Sequence, residues 1–210
     1  MRPALTYFSA LVSLGVTLGS GTARAEDAAP VDDGRSPDRG VAFAMAAGLA
    51  LPAGDTSEVD IDNLLMVPLA LGLDVRVRRW LELGASLEYA EGVPVSCKWV
   101  SCSGRAFRMG PFVRIRGSSV PAQPWLSVGF GYRLLFARRS SDDFGKNTDL
   151  GGPEWLRVEA GLDFARGPRF GPFLFASLGK YTSDVSNIHA TPKGGAVAWA
   201  GVGVRVTFGP

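Results

Sequence analysis

The sequence predicts an all-β chain: an eight-stranded antiparallel transmembrane up-and-down β-barrel. Three observations carry that prediction. From Gly40 onward apolar residues recur at every second position, run after run, which is the period of a strand and not of a helix. The runs are about 10–12 residues long, the length a tilted strand needs to cross a bilayer and well above the mode of soluble strands. The connections alternate long and short, as they do when tight turns gather at one end of a membrane barrel and loops at the other.

The first run, Val41 to Leu51, puts Val, Phe, Met and Leu on one face and Ala or Gly on the other. The second is the cleanest: Val67, Leu69, Leu71, Leu73, Val75 and Val77 alternate with Pro68, Ala70, Gly72, Asp74 and Arg76. Leu81, Leu83, Ala85, Leu87 and Tyr89 follow, opposed by Glu82, Gly84, Ser86 and Glu88. Phe107, Met109, Pro111, Val113 and Ile115 oppose Arg108, Gly110, Phe112, Arg114 and Arg116. The apolar parity becomes even in Leu126, Val128, Phe130, Tyr132, Leu134 and Phe136, and stays even in Leu156, Val158, Ala160, Leu162 and Phe164. Phe170 to Tyr181 is apolar on both faces around Phe173, Leu174 and Phe175, so its period leaves the inward face open. Val202, Val204, Val206 and Phe208 close the series.

On these bounds the long connections are 52–65, 91–105, 138–152 and 182–195, rich in Asp, Ser, Gly, Lys or Asn. The short ones are 78–80, 117–123 and 166–169.

Composition narrows the class. The chain has 210 residues, 46% hydrophobic and 20% charged, with 27 Gly and two Cys. That apolar content excludes disorder, and the absence of a Gly period or a dense Cys framework excludes collagen-like and disulfide-built scaffolds. The net charge of +2 is too small to argue for nucleic acid as a partner.

Residues 1–25 read as a secretory signal peptide. Arg2 supplies the positive start, an apolar stretch from Ala4 to Gly19 follows, and Ala23-Arg24-Ala25 is a small-residue cleavage pattern. Residues 26–39, EDAAPVDDGRSPDR, read as a polar periplasmic linker. Residues 40–210 are then the barrel.

Alternation alone does not say which face meets water. A soluble lipocalin-like ligand binder would turn its aliphatic face inward. Here the opposite face mixes small residues with isolated charges and lacks the dense Lys, Glu and Thr of a wetted sheet. Aromatic residues also gather toward the strand ends: Tyr89, Phe107, Phe136 and Trp155 at the long-loop end, and Trp80, Phe164, Phe170 and Phe208 at the other. Such girdles suit a membrane, so the aliphatic face is placed in lipid. Trp125 and Trp199 have the parity of the interior.

With this pattern, residues 40–208 resemble the small eight-stranded outer-membrane barrels of Gram-negative bacteria, the OmpA-like, OmpX-like and OmpW-like group. The terminal strand ending Val204-Arg205-Val206-Thr207-Phe208 resembles the C-terminal signal read by the barrel-assembly machinery, although Gly209 and Pro210 follow the aromatic residue. The resemblance implies an outer-membrane location, outer-membrane lipid and the assembly machinery as partners, and an extracellular partner of unknown kind.

The opposite face supplies the main candidate site, a lumen charge network. Its members are Asp74, Arg76, Glu82, Glu88, Arg108, Arg114, Arg116, Arg133, Arg157, Glu159, Asp163 and Arg205. An eight-stranded barrel is just wide enough for side chains to fill, and buried charges must pair, so a plug of salt bridges is expected. A narrow porin-like path is the functional alternative. Cys97 and Cys102 bracket Lys98-Trp99-Val100-Ser101 in a proposed external loop and are expected to form a local disulfide in an oxidising compartment.

His189, the one imidazole, precedes Thr191 by two residues. This faintly resembles the lipid A deacylases, in which a Ser stands at the second position. No metal spacing or phosphate loop occurs, so neither cofactor nor metal is expected. The role read from the sequence is non-enzymatic, structural or surface-interacting, carried by four long external loops. The alternatives are an OmpW-like conduit for small anions or apolar solutes and, behind it, a lipid hydrolase.

Overall fold

The computed structural model describes residues 40–54, 64–94, 101–117, 122–140, 145–164, 168–183 and 194–209. All elements among them are strands: β1 (Val41–Gly54), β2 (Leu64–Arg78), β3 (Leu81–Pro94), β4 (Ser101–Arg116), β5 (Ala122–Ser140), β6 (Gly145–Phe164), β7 (Arg169–Ser183) and β8 (Gly194–Phe208). Each strand pairs antiparallel with its sequence neighbours, and β1 pairs with β8 from Phe43↔Phe208 to Gly54↔Val197. The sheet is therefore a closed barrel in the order β1 to β8. Closure removes the sheet edge, which a strand protein must do in hydrocarbon because no water is there to satisfy a free N–H or C=O.

The aliphatic face points outward on every strand. Met45, Leu71, Leu87, Met109, Val128, Leu174 and Val202 are all exposed, while their even- or odd-numbered partners face in. An apolar belt around the whole barrel far exceeds the few hundred Å² that soluble proteins leave uncovered, so lipid is its solvent.

Aromatic residues mark the rims of the belt. Phe43 pairs with Phe208 across β1–β8, and the rings of Phe164 and Phe170 lie 5.8 Å apart beside the β6–β7 turn. Trp80 sits exposed in the β2–β3 turn. Toward the opposite end Tyr89 pairs with Phe107; Phe136 and Trp155 are exposed and Phe107 is half-buried.

The loop-end strands are longer than the sequence reading made them. β5 runs to Ser140 and β6 begins at Gly145, so the connection read as 138–152 shrinks to 141–144. In the same way 52–65 becomes 55–63, 91–105 becomes 95–100, and 182–195 becomes 184–193. This corrects two expectations. The four connections read as long each lose residues to the flanking strands, and the strict alternation of long and short connections fails, since 117–121 is longer than 141–144.

The physical reason is that a ladder needs only backbone donors and acceptors. Past the lipid boundary the apolar alternation stops, but pairing does not. Just above Tyr89 and Phe107, the outward-facing Arg105 Nε lies 3.3 Å from Glu91 Oε1, and the Tyr89 hydroxyl donates to Glu91. The end-girdle residues Tyr89 and Phe107 thus stand inside their strands, at the border of the lipid.

Two irregularities adjust the faces. The registers of β5–β6 and β6–β7 both shift at Trp155, between Glu154 and Leu156 or Arg157. Trp155 and Leu156 therefore both point outward, while Glu154 and Arg157 both point in. At the chain's far end Gly209, at φ 118°, turns the backbone out of β8 after Phe208, a conformation that side chains oppose.

Candidate functional site: the barrel interior

The inward face is built from three kinds of side chain. Small residues line β1, where Ala42, Ala44, Ala46, Gly48 and Ala50 succeed one another. Large rings come from β4, β5, β7 and β8. Charges come from every strand except β1. The small residues make room for the rest: Phe112 pairs with Gly84 and Gly129, Trp125 with Gly161, Phe173 with Gly161 and Gly203, and Phe175 with Gly201. Phe112, Trp125, Phe173 and Phe175 thus each stand across a ladder from glycine, whereas Trp199 stands between Pro52 and Ser177.

At the short-turn end the charges interlock. Asp74 accepts from Arg114 Nη1 at 2.7 Å and also from Arg205. Glu82 takes Arg116 Nε at 2.7 Å and Arg76 Nη2 at 3.3 Å. Asp163 accepts from Arg116 and, at 3.0 Å, from the Trp125 indole.

Nearer mid-barrel, Glu88 is held by Arg133 at 3.0 Å and by Arg157 at 2.8 Å. Arg157 Nε also donates to Glu159 at 2.6 Å. Arg108 Nη1 donates to Ser86 at 2.9 Å.

Aromatic faces cover the cations. Arg133 lies 4.1 Å over Trp199, Arg157 4.2 Å over Phe175, and Arg114 4.6 Å and 4.8 Å over Phe112 and Trp125. Guanidinium groups suit this position because their planar faces are weakly hydrated and their edges stay free for carboxylates.

All twelve charged residues named from the sequence thus face the interior, with Arg76 and Glu159 the least buried of them. Two further members lay outside that set. Glu154, 1% exposed, accepts from Arg108 Nε at 2.5 Å and lies 3.1 Å from Arg133 Nη2. Strict alternation sends it outward, and only the bulge at Trp155 turns it in. Arg169, at the first position of β7, lies 3.9 Å from Glu82. The sequence pattern places it in the 166–169 turn.

A second feature has no charge at all. Toward the long-loop end the interior is an apolar cluster of Met66, Leu135, Leu150, Tyr181, Val197 and Trp199, packed with Ala50, Ala90 and Ala106. These residues continue the inward parity past the charged zone. The interior is therefore two plugs in series, one ionic and one apolar.

Between the rings and the ion pairs lies a cavity of about 50 Å³, bordered by the small residues of β1, by Gly72, Ser127 and Gly129, and by charged residues of both signs. The β1–β2 ladder is interrupted beside it, passing from Ala47↔Leu69 to Ala50↔Met66, where Pro68 lacks an N–H to give.

No cluster of His, Cys, Asp or Glu able to hold a metal ion occurs among the described residues. Cys97 lies outside the described residues, as do His189 and Thr191, so the expected disulfide and the His–Thr pair do too; of Cys102 only the backbone, in β4, is described.

No family model matches the chain, and no curated protein does. Solved structures do. OprG of Pseudomonas aeruginosa matches with a TM-score of 0.50 at 10% identity, covering 83% of this chain and 97% of that one. Neisserial surface protein A matches at 0.47 and 16% identity, covering 80% and 96%. Ail of Yersinia pestis matches at 0.46 and 12%, covering 81% and 99%. At such identities the likeness is one of architecture. The closed eight-strand barrel, its lipid-facing exterior and the match to OprG together give the chain the fold of the small outer-membrane barrels of Gram-negative bacteria.

Proposed function

We propose that this is a non-enzymatic outer-membrane barrel whose lumen is closed, and whose work is done at the outward hairpins as a structural or surface-interaction protein. The observation that carries the reading is the double plug. Arg133 spans its two halves, with its edge on Glu88 and Glu154 and its face on Trp199. A path for solute would have to break both a network of buried ion pairs and a packed apolar layer. Buried pairs broken on one side cost about 3–5 kcal/mol, so spontaneous opening would be rare. The hairpin stems above the Tyr89–Phe107 border then become the part available to a partner outside the cell.

Planar-bilayer recordings test this. The purified barrel is expected to give no steady conductance, and a variant carrying both Trp199→Ala and Glu88→Gln is expected to conduct. Steady channels from the unmodified protein would sink the reading.

A conduit for small anions or apolar solutes is the second reading, and one observation favours it: the cavity reaches the interrupted β1–β2 seam at Gly48 and Pro68. Exchange through that seam would appear as solute uptake into vesicles without conductance, and cross-linking β1 to β2 across it would abolish the uptake.

A further inference from the structure

We propose that the mid-barrel cavity is a binding site for a small inorganic anion of halide size. The first observation is charge. Arg108, Arg114, Arg157 and Arg205 border the cavity against only Asp74, Glu88 and Glu159, which leaves one guanidinium in excess. Including the adjoining Arg133 and Glu154 leaves that excess unchanged. A guanidinium does not escape by losing its proton, and an unbalanced charge in a dry interior is costly. A bound anion balances it.

The second observation is unspent donors. Arg114, Arg157 and Arg205 are 2%, 5% and 4% exposed. Yet Arg114 Nε, Arg157 Nη1, and Arg205 Nε and Nη1 have no hydrogen-bond partner. Rings cover their faces: Trp125 lies under both Arg114 and Arg205, and Phe175 under Arg157. What remains is in-plane N–H groups, the geometry that receives an anion.

The carboxylates on the cavity wall take other N–H groups of the same arginines. Asp74 Oδ2 is held by Arg114 and Arg205, and Glu88 by Arg133 and Arg157. Glu159 is held by Arg157. Asp74 Oδ1 alone is without a partner, and a water beside the anion would satisfy it. The space is sufficient: a water needs roughly 10–15 Å³ of such volume, against about 50 Å³ here.

The anion would act as a structural ligand, locking the arginines of one half of the barrel to those of the other. A ligand that binds only the folded state raises its stability with concentration and saturates. The site does not depend on whether the hairpins bind a partner, so it stands or falls separately from the function proposed above.

The test uses the full barrel in detergent micelles and follows the temperature at which the compact gel band converts to the unfolded one. Sodium bromide is titrated against sodium gluconate at equal ionic strength, gluconate being too large for the cavity. The expected result is a saturable rise of the midpoint with bromide and none with gluconate.

Gly72→Val should abolish the rise without removing a charge. A Cβ at Gly72 meets nothing nearer than Ala44 Cβ at 3.5 Å and Asp74 Oδ1 at 3.8 Å, so the added methyl groups occupy the cavity. Should that variant not fold, crystals of the unmodified barrel in bromide give the second readout, an anomalous peak beside Arg157 and Arg205. Equal midpoints in the two salts, a bromide response that survives Gly72→Val, or bromide crystals with no peak in the cavity would each overturn the proposal in favour of water.

Discussion

Trp125 and Gly161 face each other across the β5–β6 ladder, and a Cβ at Gly161 would lie 2.6 Å from the indole Cζ2. The indole meanwhile donates to Asp163 at 3.0 Å and lies under Arg114 and Arg205. One glycine therefore sets the position of a ring on which two cations rest. Gly161→Val is expected to destabilise the barrel by about 1–3 kcal/mol through overpacking, read by urea unfolding in lipid vesicles. A loss below a few tenths of that range would show that the ring has room to move.

Glu154 is the buried carboxylate that strict alternation places in lipid. Glu154→Gln removes the charge shared by Arg108 and Arg133 and leaves both guanidinium groups short of a partner. Breaking a buried pair from one side costs about 3–5 kcal/mol. A double-mutant cycle with Arg108→Met should recover part of that loss, because the second change removes the orphaned cation. Purely additive effects would place Glu154 outside the network.

The exterior gives a third expectation, and it separates lipid from water. Leu73 pairs with Ala85 near the middle of the apolar belt and is exposed. Leu73→Arg should cost about 2–4 kcal/mol in a bilayer. On a water-soluble barrel the same change would be neutral or favourable. Refolding yield into vesicles, compared with that of Val93→Arg beyond the Tyr89 border, is the measurement; equal yields would argue against a bilayer at Leu73.

The apolar plug makes a fourth. Leu135→Ala empties part of the cluster around Trp199, with a cost of about 2–5 kcal/mol. Like the unmodified barrel, it is expected to give no steady conductance, because on the proposed reading the ionic layer alone closes the lumen. Channels from Leu135→Ala alone would show that the apolar layer is the whole seal.

Much of this protein is legible in its sequence, because a strand's side-chain period is two and lipid imposes it strictly. Leu69, Leu71, Leu73 and Val75 face out, and Asp74 and Glu82 face in, with no information beyond their spacing. The lipid exterior, the strand number and most of the inward charges follow from that period and from the cost of hydrocarbon to a charged group.

What spacing could not carry lay where the period breaks or ends. The bulge at Trp155 shifts parity by one, and no residue type announces it, so Glu154 joined the network only in three dimensions. Phe173, Leu174 and Phe175 offer two apolar faces; pairing with Gly201 and Gly203 decides that both phenylalanines turn inward. The hairpin stems continue through polar residues because backbone hydrogen bonds ignore hydropathy. Which guanidinium meets which carboxylate depends on strands far apart in the chain, such as Arg205 and Asp74. The sequence determined the two faces of the barrel, since each residue's solvent is a local property; only the tertiary structure decided the partners, the plugs and the cavity, because those are set by closure.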